Sequence, residues 1–439
     1  MATRLIYLTA GAGGMYCGSC LHDNALAKAM ARAGWDVQLV PFYTPIRTDE
    51  SDVSVDRIFF GGINVYLQQK IPLFRHLPKW LDGFLDNPRF IRRVTSKAIE
   101  TDASTLGDMA LSMLRGEKGN QRKEVKRVVD WLADENPDII LSSNLLITGF
   151  APTLKRIANI PIVVTLQGDD VFLNQLPEKD RAACLAQIRE NNQSIDFFLT
   201  HSEAFRQQMS RYFDIPLERI VVTPLGIDTH DFRNLTLTTR SQSQLRRIGY
   251  FARLAPEKGL HHLVEAFIEL KRAPEYSDVR LRIAGWLSPE MNKYADEQFQ
   301  RLRDAGLESQ FQYEGVLSRE DKLSFLQDID LLCVPTEHEE PKGLFALEAM
   351  ASGTPVVLPD KGALTELVEQ SGGGIVYSAH NDANENRKRL VNALKILLDD
   401  EAKRKELGAN ARHFVLEQRD EVHMAQNTMD ALTANISGL

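Results

Sequence analysis

The sequence predicts an α/β protein built from two doubly wound parallel-sheet domains. Three observations carry this. The chain has 439 residues, more than one hydrophobic core organises. Short apolar runs, the mark of strands buried on both faces, recur along it and alternate with helical patterns. A polar stretch over residues 229–246, within which Thr238 to Gln244 include no apolar residue, separates two such series and reads as a linker.

The first series opens with a strand-like run from Arg4 to Leu8 and the turn Gly11-Ala12-Gly13-Gly14-Met15. A helix follows from about Leu21 to Ala33, with apolar residues at Leu21, Ala25, Leu26, Ala29, Met30 and Ala33, and Gly34 stops it. Asp36 to Val40 is the next strand. A Gly-rich turn after the first strand of such a domain lets a ligand approach backbone donors at a helix start. The turn lacks the full G-x-G-x-x-G spacing, so it points less to a dinucleotide.

Residues 45–135 interrupt the rhythm. Ile63 to Leu67 alternates like a strand, residues 70–93 are basic and aromatic, and Gly116 to Lys123 reads as a polar, mobile loop. Three uses of residues 70–93 stay open: the lining of an acceptor cleft, a helical hairpin with solvated basic faces, and weak contact with a membrane surface. Prolines that break any long amphipathic helix place the membrane third. Strands resume at Asp138 to Leu141, Ile162 to Leu166, Phe197 to Thr200 and Ile220 to Val222. The second series comprises Arg247 to Phe251, Val279 to Ala284, Phe311 to Tyr313, Asp330 to Val334, Val356 to Leu358 and Gly374 to Val376. A final helix carries the stripe Val422, Ala425, Met429, Leu432 and Ile436, which either domain could receive.

Composition narrows the function. The formal net charge of -8 argues against a general nucleic-acid binder. No apolar run reaches the ~18–20 residues that span a bilayer, and the short apolar start runs into a Gly-rich turn, so a cytoplasmic protein is expected. Four cysteines make no disulfide framework. Cys17 and Cys20 form a C-x-x-C beside the first turn. A redox pair is one reading, but two small residues packing near a loop is favoured, and no second pair completes a zinc site.

The chemistry concentrates after two strands of the second series. Glu339-Glu340-Pro341-Lys342-Gly343-Leu344 leads from a buried strand into a helix with apolar Leu344, Leu347 and Met350, and Glu348 lies in its first turns. A helix start offers unpaired N–H groups to phosphate. Carboxylates repel phosphate but accept hydrogen bonds from vicinal hydroxyls. Phosphate flanked by hydroxyls describes a nucleotide-sugar; a solvated acidic helix start accounts for this motif about as well. Arg253 and Lys258 follow the first strand of the second series, at the strand end where ligands bind in such sheets. Two cations can balance a diphosphate without a metal, which tips the balance to the phosphate reading.

The succession Arg253, Lys258, Gly285 and Glu340-x7-Glu348, with Ala349 to Val357 after it, resembles glycosyltransferase family 4. Pro224 to Asp228 and Phe232 resemble its interdomain segment, and Gly13-Gly14 its N-terminal loop. The resemblance implies the GT-B fold, two Rossmann-like domains facing a central cleft. It implies residues 1–230 as an acceptor-side domain with the insertion 45–135, 231–246 as linker, 247–416 as donor domain, and 417–439 as a helix crossing back to the first. It implies a retaining hexosyltransferase using a nucleotide-sugar, a uridine one favoured, with no metal or other cofactor and a sugar, glycan or lipid-linked acceptor. By position, Arg253 and Lys258 would hold the diphosphate, Glu340 the transferred sugar and Glu348 the ribose. Backbone N–H groups near Gly343 and Leu344 would meet sugar or phosphate oxygens. Val316 would lie near the base, Gly285 in the donor site, and Gly13 and Gly14 would close over the diphosphate.

The chain departs from the family at Gln167-Gly168-Asp169, where a His-Gly is frequent; Gln167 donates a hydrogen bond but carries no proton at neutral pH. Gln167 and Asp169 are therefore acceptor- or sugar-side candidates. Val65 to Leu67 and Asn87 to Phe90 resemble glycogen synthases faintly. Two other activities fit the same residues: a nucleotide-sugar isomerase or hydrolase, and a non-catalytic nucleotide-sugar-binding protein.

Overall fold

The computed structural model describes residues 2–11, 18–55, 103–235 and 245–436. Gly13, Gly14, Cys17, the strand-like run at 63–67, Asn87 to Phe90 and the basic stretch 70–93 lie outside them. The chain divides into two compact units: residues 1–224 with 424–439, and residues 225–423.

The first unit is built on a parallel sheet of β1 (Arg4–Thr9), β2 (Asp36–Pro41), β3 (Ile139–Ser142), β4 (Ile162–Thr165), β5 (Phe197–Thr200) and β6 (Ile220–Val222) in the order β2-β1-β3-β4-β5-β6. Strand side chains alternate between faces, and the core divides accordingly. Ile6, Leu8, Ile140, Val164 and Phe198 pack on one side, and Leu5, Tyr7, Leu141, Val163 and Phe197 on the other. Helix Gly18–Arg32 begins three residues before its expected start and covers the second face together with Met424, Ala425, Met429 and Leu432 of helix Glu421–Asn435 and Ile436 just after it. The C-terminal stripe therefore belongs to this unit, except that Val422 is 64% exposed.

Gly116 to Lys123, expected as a mobile loop, is instead a 3₁₀ turn, Gly116–Lys118, leading into helix Arg122–Glu135. The Ser112 hydroxyl holds it, accepting from the Asn120 N–H at 2.8 Å and donating to Gln121 Oε1 at 2.8 Å. Composition marked it as loop because its hydrogen bonds run to a distant side chain, which a local reading does not see.

The second unit repeats the plan with β7 (Arg247–Phe251), β8 (Arg280–Ala284), β9 (Phe311–Tyr313), β10 (Leu331–Cys333), β11 (Val356–Pro359) and β12 (Gly374–Tyr377), all parallel, in the order β12-β11-β10-β7-β8-β9. The unit starts at Leu225, not near 247, because Leu225, Ile227 and Phe232 join its core. Phe232 sits in a short helix, His230–Arg233, so the first part of the expected linker is folded. It continues to His423, past the expected limit at 416.

Candidate functional site

In a doubly wound sheet the strand order reverses at one place, and the crevice beyond the strand ends there is open to ligands. In the second unit that place lies between β7 and β10, neighbours in space though far apart in sequence. The loop after β7 carries Arg253 and Lys258, and the loop after β10 carries Glu340. Gly259, at φ +74°, allows the two loops to touch: a Cβ there would lie 1.8 Å from the Pro335 carbonyl oxygen.

The Lys258 ammonium donates to Glu340 Oε2 at 2.6 Å. The Lys342 and Gly343 N–H groups donate to Oε1 of the same carboxylate at 3.4 and 3.3 Å. Gly343, at φ +72°, turns the chain into helix Leu344–Ala351, so these amides precede the helix and aim at one point. His338 Nε2 stands 3.6 Å from Oε2, and Lys258 Nζ lies 5.7 Å from the centre of the Phe345 ring. Glu340 is 5% exposed. Burial alone would raise its carboxyl, but Lys258, His338 and the Gly343 N–H overcome that and hold it at about 2, against an ordinary 4.5. Glu340 is thus an anion throughout the neutral range.

Arg253 is engaged elsewhere: its guanidinium donates to Glu257 Oε1 at 3.1 Å and its side chain is 40% exposed. Gly285 follows β8, its N–H bonded to the Gly315 carbonyl at 2.9 Å and its carbonyl accepting from the Tyr313 hydroxyl at 3.0 Å. Val316, next along the chain from Gly315, is an exposed apolar residue. Glu348, one turn into the helix that starts at Leu344, accepts from Lys322 Nζ at 2.6 Å. Lys322 is buried on helix Arg319–Asp328 with Phe325 and Leu326. Sequence reasoning missed Lys322, although its i, i+3, i+4 spacing with those residues puts it on the apolar face.

In the first unit Gln167 follows β4 and is buried, its Nε2 donating to the Ser143 carbonyl at 2.6 Å and standing 3.4 Å from Asp23 Oδ1. Asp23 is fully buried and accepts from the Tyr7 and Thr9 hydroxyls at 2.6 Å each, with His22 Nδ1 at 3.1 Å. Asp23 and His22 were also missed; the signal is three successive polar residues, His22-Asp23-Asn24, within an apolar-periodic helix. Gln167 thus ties β4 into a buried polar network around Asp23.

Asp169, at the head of the short helix Asp169–Asn174, accepts the Leu145 N–H on Oδ1 at 2.8 Å. Burial pushes its carboxyl from 3.8 up to about 7, partly offset by that N–H and reinforced by neighbouring Asp170. A raised carboxyl keeps a proton that the unfolded chain has released, so stability falls as pH rises from about 4 to about 7 and stays low above that. Asp169→Asn keeps the acceptor for Leu145 and removes the ionisation. It is expected to raise stability at pH 8 by roughly 1–3 kcal/mol, with little change at pH 4. Urea titrations at the two pH values check this; an equal effect at both would refute the assignment.

The chain's two halves match two glycosyltransferase family descriptions. "Glycosyl transferase 4-like domain" covers residues 24–226. "Glycosyl transferases group 1" covers residues 238–414. An uncharacterized glycosyltransferase of Methanocaldococcus jannaschii is 23% identical over 70% of this chain and 78% of its own length. The D-inositol 3-phosphate glycosyltransferase of Corynebacterium aurimucosum is 27% identical over 54% of this chain, which spans only 56% of that relative. Among solved structures, Anabaena HepE in complex with UDP-glucose superposes with a TM-score of 0.65 at 18% identity, over 98% of this chain and all of that one. The fold is that of the GT-B glycosyltransferases. The chain belongs to them, with the paired domains of a family 4-like glycosyltransferase.

Proposed function

We propose that the protein transfers a hexosyl group, with retention of anomeric configuration and without a metal, from a uridine diphosphate sugar to a sugar, glycan or lipid-linked acceptor. The observation that carries this is the buried Lys258–Glu340 pair at the head of helix Leu344–Ala351, beside the reversal in strand order. Its parts match the parts of a nucleotide-sugar. The Lys258 ammonium can pass from Glu340 to a phosphate oxygen, and Arg253 can exchange Glu257 for another. Glu340, ionised above about 2, is then free to accept hydrogen bonds from the sugar's hydroxyls and has no proton to give. Glu348 accepts from the ribose diol while Lys322 holds one of its oxygens. Val316 offers an apolar surface to the base, and Gly285, whose N–H is bonded at 2.9 Å to the carbonyl of Gly315, the residue before Val316, stands beside it. On the acceptor side, Gln167 and Asp169 offer an amide and a carboxyl. HepE, whose structure contains UDP-glucose, supports the choice of uridine.

A thermal-shift comparison of UDP, GDP and ADP tests the donor first, since a ligand of the folded state raises its apparent stability. UDP-sugars are then offered with an acceptor panel, and the anomeric proton of the product is read by NMR. Full turnover is expected in excess EDTA. Turnover lost in EDTA and restored by magnesium would overturn the metal-free reading, and release of free sugar with every acceptor omitted would favour a hydrolase.

A further inference from the structure

Among the described residues, one group of three imidazole and carboxylate side chains converges outside the contacts used above: His261, His262 and Glu337. We propose that this group binds a divalent transition-metal ion, zinc by its chemistry, and that the ion clasps together the two loops bearing Lys258 and Glu340.

The donor atoms all lie within 4.8 Å of one another. His261 Nε2 is 3.1 Å and His262 Nε2 2.8 Å from Glu337 Oε1. Tetrahedral zinc with ligand bonds of about 2.0–2.1 Å separates its donors by about 3.3 Å, so a small movement admits the ion. Two imidazoles with a carboxylate suit zinc, copper or nickel, whereas magnesium and calcium take oxygen ligands. Three protein ligands leave a fourth position for water.

The ligands are already positioned. The Tyr294 hydroxyl lies 2.9 Å from His261 Nδ1 and accepts from the His261 backbone N–H at 3.2 Å, which fixes that ring. The His262 ring lies 4.0 Å away, centre to centre. The Glu337 N–H donates to the Glu257 carbonyl at 3.0 Å, fixing the loop from which the carboxylate projects. When the site is metal-free and both rings are neutral, each Nε2 must carry its proton to donate to the one oxygen. On metal binding each ring moves that proton to Nδ1, and for His261 the Tyr294 oxygen is in place to accept it. The rings are only partly buried, so an ion reaches them from solvent.

His261 and His262 open helix Leu260–Leu270, directly after Lys258-Gly259, and Glu337 lies three residues before Glu340. A bound ion therefore joins the loop after β7 to the loop after β10. This inference does not rest on the glycosyl-transfer reading, because its readout is metal binding.

Equilibrium dialysis of the purified full chain against zinc, with metal quantified by elemental analysis, is expected to show a site of about micromolar affinity. His262→Gln and Glu337→Gln should each weaken that site at least about tenfold and abolish the zinc-dependent rise in thermal midpoint. The midpoint of each variant without metal verifies that it is folded. Cobalt(II) in the wild-type chain should give the visible absorption of a tetrahedral site, lost in both variants. Zinc binding no tighter than about millimolar, or the same affinity in folded variants as in the wild type, would overturn the proposal.

Discussion

Lys258→Ala is expected to lower turnover by about 100- to 1,000-fold, the loss typical of removing one preorganised charge that stabilises a leaving group, about 2.7–4 kcal/mol. It also has a structural consequence that can be measured separately. Glu340 stays buried while its ammonium partner is gone. In the wild type its carboxyl is lowered from 4.5 to about 2. A depressed carboxyl contributes stability that is complete above its unfolded value and disappears as pH falls through its folded value. For Glu340 that window runs from about 4.5 down to about 2, and the contribution is on the order of 3 kcal/mol. Without Lys258 the desolvation of Glu340 persists, so its carboxyl rises and acid unfolding starts at higher pH. The double variant Lys258→Ala/Glu340→Gln separates the two effects: with both charges gone stability recovers, but turnover does not. Turnover near the wild-type rate in folded Lys258→Ala, with UDP-sugar as donor, would remove the central support of the proposed function.

The central strands were legible because they are apolar runs enclosed in a parallel sheet, as in Ile139 to Leu141 or Ile162 to Val164, where burial on both faces leaves one short, continuous signal. The Lys258–Glu340 contact was legible only in part. Each residue could be assigned to the end of a strand, but the reversal of order that makes β7 and β10 neighbours is a property of the whole sheet. What could not be read was the pairing state. Sequence logic sent both cations to an anionic ligand, whereas each is engaged with a carboxylate of the chain itself: Lys258 with Glu340 and Arg253 with Glu257. A ligand diphosphate must compete with these internal anions, so donor affinity reflects an exchange of partners and not simple neutralisation of bare charge. Asp23 was hidden for a related reason. Of its partners only His22 is adjacent; Tyr7 and Thr9 lie on β1, and its proximity to Gln167 joins positions 144 residues apart.

Lys322→Met is expected to destabilise the protein by about 3–5 kcal/mol, the usual effect of removing one member of a buried ion pair. Lys322 is 3% exposed, and its Nζ sits 2.6 Å from Glu348 Oε1. Methionine fills nearly the same volume, so the loss reports charge and not a cavity. The variant also tests how Glu348 works. An ionised carboxylate has about four acceptor positions on two oxygens. Lys322 occupies one and so orients the carboxylate, leaving acceptor capacity for a diol. If the lysine merely supports the fold, Lys322→Met/Glu348→Gln should recover stability and retain the affinity for UDP. If Glu348 holds the ribose, the double variant recovers stability yet binds UDP at least about tenfold more weakly, as loss of one charge-assisted hydrogen bond of about 1.5–3 kcal/mol implies. Urea unfolding and calorimetric titration with UDP read the two quantities independently. A single variant destabilised by less than about 1 kcal/mol would show that the buried pair is not a close ionic contact in solution. Undiminished UDP affinity in the double variant would take the ribose away from Glu348 and leave it a structural partner of the helix Arg319–Asp328.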